Sequence, residues 1–219
     1  VSVDLVIFDC DGVLVDSEII SCRVYAQALS RYGYPITADQ VHDRFLGRSS
    51  RETRLEVERE LGRMLPDDFQ AQLNAELFGE LETSLEPMPH IDEALDAILQ
   101  PVCVASSGPL QKISVSLNRV GLTQRFAPHI FSATQVNRGK PAPDLFLYAA
   151  MQMGAEPSRC LVVEDSVAGV TAARAAGMVA LGFAGGSHCR PGHGESLRHA
   201  GAQASFVDMR QLYDIISQF

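Results

Sequence analysis

Lysine is nearly missing from this sequence. Of its 18 Lys and Arg residues, only Lys112 and Lys140 are lysines. One of them sits in "RGKPAPDLF" (138–146), between two apolar segments. Such a position can need a compact ammonium on a flexible stem, which a planar guanidinium does not replace. The plainer alternative is a surface lysine without a task. Paired cysteines are missing too. The five present (Cys10, Cys22, Cys103, Cys160, Cys189) are odd in number and scattered, which argues for reduced thiols and against a disulfide framework or a zinc site. Positive charge is short: a net charge of −9 speaks against a nucleic-acid partner, which needs a basic face, yet leaves room for a locally positive pocket. No apolar run is long enough to span a bilayer. The opening "VSVDLVIFDCDG" shows no basic stretch or cleavage pattern of a secretory signal. The expectation is a cytoplasmic protein with no membrane or nucleic-acid partner, acting as a monomer or weak homodimer.

What is present fits a globular chain with a core. At 219 residues and 46% apolar, it can form one large domain, or a core domain carrying a smaller one. "VDLVIFD" reads as a strand buried on both faces, as in a parallel sheet. Similar runs recur at "PVCVASS" (101–107), "IFSA" (130–133), "CLVVED" (160–165) and "MVALGF" (178–183). Helical patterns ending in glycine separate the later ones: "PLQKISVSLNRVG", "PDLFLYAAMQMG" and "SVAGVTAARAAG". This alternation predicts an α/β fold with a doubly wound parallel sheet. Residues 16–84 break the rhythm with helical patterns only. Two of those open like capping boxes, Thr37 to Gln40 and Ser49 to Glu52. They predict an inserted helical domain, with residues 1–15 and 85–219 forming the core and "EPMPH" as the returning linker. "GGSHCRPGHGESLRHAG" carries His188, Cys189, His193 and His199; its spacings fit no zinc pattern, so a surface loop is expected. "RLEVERELGR" reads as a solvated helix face.

Ligands of an open α/β sheet collect beyond the carboxyl ends of its strands. The residues expected there form a coherent set: Asp9 and Asp11 after the first strand, Ser106, Ser107 and Gly108 after the second, Lys140 after the third, Glu164 and Asp165 after the fourth. Carboxylates crowded together repel unless a cation lies among them, and oxygen ligands without His or Cys point to magnesium. A phosphate oxygen would complete such a site, with Lys140 and Ser106 as its partners. Each residue also has a plainer reading. "DCDG" could be a turn, although Gly12 comes too early for an EF-hand loop. Asp165 or Ser166 could cap a helix, and Ser107 and Gly108 before Pro109 could be a helix start. Four strand ends that all supply matching chemistry favour the joint reading.

"DLVIFDCDGVLVDSE", "VCVASSG", "GKPAPDLF" and "LVVEDSVAGVTAARAAGM", in this order, resemble the haloacid dehalogenase superfamily. The resemblance implies a Rossmann-like core, an α-helical cap inserted after the first motif, and phosphoryl transfer through an aspartyl-phosphate. Mapped by motif, Asp9 would be the nucleophile and Asp11 the general acid and base. Ser106 and Lys140 would hold the phosphoryl group. Magnesium would be bound by Asp9, Asp11 (through its backbone carbonyl) and Asp165, with Glu164 assisting or bound through water. Ser107 and Gly108, with Gly47, Arg48 and Arg51 of the cap segment "FLGRSSRET", are the substrate-binding candidates; solvated arginines at a helix start are the plainer reading of the last two.

Departures narrow the subgroup. Dehalogenases of this superfamily lack the second aspartate, which is present here as Asp11. Phosphonoacetaldehyde hydrolases need a cap lysine, and no lysine precedes Lys112. β-Phosphoglucomutases usually carry a histidine five residues beyond the Asp of "VDSE", where this chain has Ser21. The pattern is most similar to phosphatases of the phosphoglycolate and 6-phosphogluconate phosphatase-like group. A small sugar or sugar-acid phosphate is the expected substrate. A mutase is the alternative, and a non-catalytic phosphate- or magnesium-binding module, or a purely structural domain, is the reading from another class.

Overall fold

The computed structural model describes residues 2–48 and 50–219. The chain divides into two compact units, Val1–Asp16 with Glu86–Phe219, and Ser17–Leu85. The smaller unit is built of helices α1 (Glu18–Arg31), α2 (Ala38–Phe45), α3 (Ser50–Leu61) and α4 (Phe69–Ser84). Helix α4 buries Phe69, Leu73, Leu77 and Leu81, a four-residue repeat that keeps one apolar stripe on a single face. Thr37 caps α2 through the expected box, its hydroxyl accepting from the Gln40 amide while Gln40 reaches back to the Thr37 amide. The second expected box rests on Ser49, outside the described residues. Helix α3 is not simply a solvated face. Glu58 is buried and accepts from the Arg54 guanidinium and the Leu65 amide, which fastens α3 to the segment leading into α4.

The larger unit carries six strands: β1 (Leu5–Phe8), β2 (Val102–Ser106), β3 (Ile130–Ser132), β4 (Cys160–Glu164), β5 (Val179–Phe183) and β6 (Ala204–Phe206). They form one parallel sheet in the order β3-β2-β1-β4-β5-β6. Helices α5 (Ile91–Ala97), α6 (Leu110–Arg119), α7 (Thr123–Phe126) and α11 (Leu212–Ile216) lie toward one face, and α8 (Asp144–Met153), α9 (Val167–Ala175) and α10 (His193–His199) toward the other. This is the doubly wound α/β fold expected from the sequence. Strand β1 shows why such strands read as unbroken apolar runs. Leu5 and Ile7 join the cluster with Leu145 and Phe146 of α8 and Val170 of α9, while Phe8 meets the Phe126 ring of α7 edge-on at 6.0 Å. Burying a side chain such as Leu145 or Phe146 contributes about 1.5–3 kcal/mol.

The path reverses between β3 and β4, so β1 and β4 become neighbours at the topological switch point. There the chain after β1 turns back on itself, the Gly12 amide donating to the Val15 carbonyl at 2.8 Å. It meets the returning segment at Asp16 and Met88, whose amides donate to Glu86 and Leu14.

Two elements differ from expectation. Residues 193–199, expected in a loop, form α10, because Leu197 supplies an apolar anchor that packs over Gly182 of β5. Strand β6 was not anticipated; it is a three-residue edge strand, too short to show a period. Among the described residues, no helix is long and apolar enough to cross a membrane.

Candidate active site

The strand register sets the site. Phe8 pairs with Val104 of β2 and Val163 of β4, so the next residues, Asp9, Ala105 and Glu164, stand level at the carboxyl end of the sheet. Lys140 joins that row. Its ammonium donates to Asp9 Oδ1 at 2.6 Å, to Glu164 Oε1 at 2.6 Å and to the Ala105 carbonyl at 3.0 Å. Three acceptors converging on one point use all three ammonium protons, a geometry that a planar fork of five donors cannot match. The Lys140 side chain is only 4% exposed, and its nitrogen lies 4.9 Å from the centre of the Phe146 ring. It is no surface lysine.

Asp165 follows β4. Its Oδ2 lies 3.0 Å from His188 Nε2, and its backbone carbonyl accepts from His193 Nε2 at 2.6 Å. The other oxygen of Glu164, Oε2, accepts from the amide and hydroxyl of Ser166, both at 2.9 Å. Ser166 also caps α9 by accepting from the Gly169 amide, so the helix-cap reading holds for Ser166 and not for Asp165. Two glycines make room for these carboxylates. A Cβ on Gly169 would stand 1.8 Å from Glu164 Oε1, and one on Gly12 would stand 1.9 Å from Asp165 Oδ2. Gly12 also has φ +78°, which side-chain-bearing residues rarely adopt.

Asp11 faces another way. Its Oδ1 pairs with Lys112 at 2.7 Å, on the first turn of α6. The Ser106–Gly108 loop beside it is pinned from both ends: Ser106 Oγ accepts from the Gly108 amide at 3.0 Å, and Ser132 Oγ of β3 donates to the Gly108 carbonyl at 2.6 Å. Ser106 is buried and Ser107 exposed.

Charge is unbalanced at this edge. Asp9, Glu164 and Asp165 are all buried, with one ligand oxygen each lying within 4.8 Å of the others. Burial pushes the Asp9 carboxyl well above its ordinary range, Glu164, Asp165 and Asp11 add to the rise, and Lys140 opposes it. Burial raises Asp165 as well, against the hydrogen bond from His188. Burial would lower Lys140, but Asp9 and Glu164 outweigh it and hold the ammonium above its usual range. The same contest at His188 goes to Asp165, which lifts the imidazole to about 10. The cluster is short of positive charge, and its donors are all hard oxygens. This donor set fits a small dication such as magnesium.

The candidates of the helical unit have their own surroundings. Arg48 donates to Glu56 at 2.6 Å, an ion pair within the unit. Arg51 is exposed. Gly47 takes φ +77° and a Cβ there would meet nothing within 4 Å.

Sequence reasoning missed Lys112, His188, His193 and the two glycines. Lys112 did leave a signal, as the other of only two lysines, in the first turn after the Ser-Ser-Gly loop. The histidines stood out only as a cluster that fits no zinc spacing; their contacts with Asp165 depend on how the chain after β5 folds back.

The haloacid dehalogenase-like hydrolase family model matches residues 3–177, and the chain belongs to that family. It is 33% identical over 190 residues to the 6-phosphogluconate phosphatase of Escherichia coli, covering 86% of each chain. It is 32% identical over 187 residues to the phosphorylated carbohydrates phosphatase of Thermotoga maritima, covering 80% of this chain and 82% of that one. A crystal structure of a conserved haloacid dehalogenase-like protein of unknown function from Agrobacterium tumefaciens superimposes with a TM-score of 0.88 at 40% identity, covering 99% of both chains.

Proposed function

We propose that this phosphatase hydrolyses the phosphomonoester of a small polyhydroxy metabolite, a sugar or sugar-acid phosphate, with Asp9 as nucleophile. The observation that carries the assignment is the buried row in which Lys140 holds Asp9 Oδ1 beside Glu164. Held through Oδ1, Asp9 has its other oxygen as the attacking atom, and its direction is fixed by the lysine and by the end of β1. The attack forms an aspartyl-phosphate and expels the substrate alkoxide. Asp11 protonates that alkoxide and then takes a proton from the water that cleaves the intermediate. Lys112 keeps the Asp11 carboxyl at its station at 2.7 Å. Ser106 and the adjoining Gly108 loop hydrogen-bond the phosphoryl oxygens, and Lys140 shares its positive charge with them.

Asp9, Glu164 and Asp165, with the Asp11 carbonyl, would hold magnesium. When bound, the ion offsets the negative charge of the carboxylates and the phosphoryl oxygens. The identity of the substrate as a sugar phosphate is supported by the names of the relatives in Escherichia coli and Thermotoga maritima. Residues 16–84, as an inserted cap, would choose among such substrates, with Arg51 preferred to Arg48 because Arg48 is already paired with Glu56.

The test is phosphate release from a panel of sugar phosphates, phosphoglycolate and nucleotides, with magnesium or with EDTA, beside Asp9→Asn. Magnesium-dependent release that vanishes in the variant is the expected result. Conversion of a hexose 1-phosphate to the 6-phosphate without release would replace phosphatase with mutase. Neither activity from folded protein would leave a binding module.

A further inference from the structure

Behind Asp165 lies a second group of ligating atoms that the phosphatase chemistry does not use. His188, Cys189 and His193 each present a nitrogen or sulfur, all within 4.8 Å of one another. His188 Nε2 is 3.5 Å from Cys189 Sγ and 3.0 Å from Asp165 Oδ2. His188 Nε2 therefore lies between a sulfur and a carboxylate oxygen, two atoms that also bind metals. In a tetrahedral zinc site, bond lengths near 2.05 Å to nitrogen and 2.3 Å to sulfur put those ligands about 3.6 Å apart. The observed separation already has that value.

The placement is built rather than incidental. His188 is buried, and its ring fits against two glycines: a Cβ on Gly12 would stand 2.9 Å from Cε1, and one on Gly186 would stand 2.7 Å from Cε1 and Nδ1. His193 is held at the start of α10 by its bond to the Asp165 carbonyl. Among the five cysteines, Cys189 is the one that is not buried. A groove lined by Arg190, Gly192, His193, Glu195 and His199 opens beside the cluster and gives an ion a route to it.

We propose that His188, Cys189 and His193 form a binding site for a soft divalent cation of the zinc class, distinct from the carboxylate cluster, and that its occupation draws His188 away from Asp165. The binding itself follows from these three side chains. The coupling rests on the assignment of Asp165 to the magnesium site, because an ion in place of the Nε2 proton removes the hydrogen bond that now holds Oδ2. The cation is then an inhibitor of the phosphatase, acting from outside the substrate pocket. The competing account makes His188 and His193 mere supports for Asp165, with Cys189 a bystander.

Cobalt(II), a spectroscopic stand-in for zinc, separates the two accounts. Titrated into the full chain saturated with magnesium, it should give thiolate-to-cobalt charge-transfer absorption that saturates at one equivalent. The band should be absent in Cys189→Ser. In His193→Ala, binding should weaken at least as much as the roughly 10- to 100-fold lost on removing an outer-shell partner. Zinc should inhibit the magnesium-saturated wild type, and Cys189→Ser should need at least about tenfold more zinc for the same inhibition. No band in the wild type, or a band that survives Cys189→Ser, would overturn the site. Equal zinc inhibition of both proteins beside a cysteine-dependent band would overturn the coupling. The cobalt band is read without turnover, so a failure of phosphate release bears on the phosphatase assignment and not on the site.

Discussion

The two units of this protein use opposite electrostatics. In the sheet unit, carboxylates gather at the strand ends, Asp9 and Glu164 buried and Asp11 half-buried, and each lysine of the chain pairs with them, Lys140 with Asp9 and Glu164 and Lys112 with Asp11. The helical unit contains no lysine, and several of its arginines pair with glutamates near the surface: Arg23 with Glu80, Arg31 with Glu76, Arg44 with Glu56 and Glu60, with Arg54 on the buried Glu58 as the exception. Arg44 also lies 4.9 Å from the Phe45 ring centre, a stacking that suits a flat, weakly hydrated cation. Where space is open, a fork can spread over several partners. Where acceptors from three strands converge on one point, only a compact ammonium fits. The choice of cation therefore marks the difference between a surface network and a reaction centre.

The sharpest way to break the comparison is to remove the group around which the lysines are arranged. Asp9→Asn should lower kcat on the order of 10⁵- to 10⁶-fold, the scale for loss of a covalent nucleophile, with an unchanged far-ultraviolet circular dichroism spectrum. Lys140→Arg keeps the charge and changes only its shape; steady-state kinetics should show a loss of roughly 10²- to 10³-fold in kcat, as for one misplaced electrostatic donor. A variant as active as wild type would refute the claim that shape decides. The reciprocal exchange in the helical unit, Arg44→Lys, should leave kcat unchanged and lower the melting temperature by no more than a few degrees, less in high salt, because exposed pairs are screened.

The smallest effect expected is at Asp208, which accepts from the Arg210 amide and pairs with its guanidinium. The Arg210 side chain, with the backbone bond, brings this carboxyl from its ordinary 3.8 down to about 2. A depressed folded-state value means that the ionised group stabilises the fold above the ordinary value and that the gain is lost as pH falls toward 2. Melting curves should therefore show a small deficit for Asp208→Asn at neutral pH that closes below about pH 4.

How much of this was legible in the sequence depends on distance along the chain. The strand runs and the chemistry at their ends were readable because each is local: an apolar run stops and a carboxylate, serine or lysine follows. Position beyond a strand end in an open sheet then implies a shared edge. The row formed by Asp9, Ala105 and Glu164 was not readable, since it depends on pairing register between segments 96 and 155 residues apart, Phe8 with Val104 and Phe8 with Val163. The proximity of His188, Cys189 and His193 was not readable either, because a turn entering α10 brings them together and α10 itself looked like a loop: "HGESLRH" has one buried apolar residue, Leu197. Gly12 could be seen as a turn residue, but its Cβ conflict with Asp165 joins two strand ends and has no local trace.

The distribution of thiols gives the protein a built-in record of its own opening. Cys10, Cys103 and Cys160 are buried in the sheet unit and Cys22 in the helical unit, while Cys189 is half-buried. An alkylating reagent applied to native protein should mark Cys189 at once and the others only when their surroundings open. The order in which Cys22 and the three sheet cysteines take up label would time the unfolding of one unit against the other, with no probe introduced.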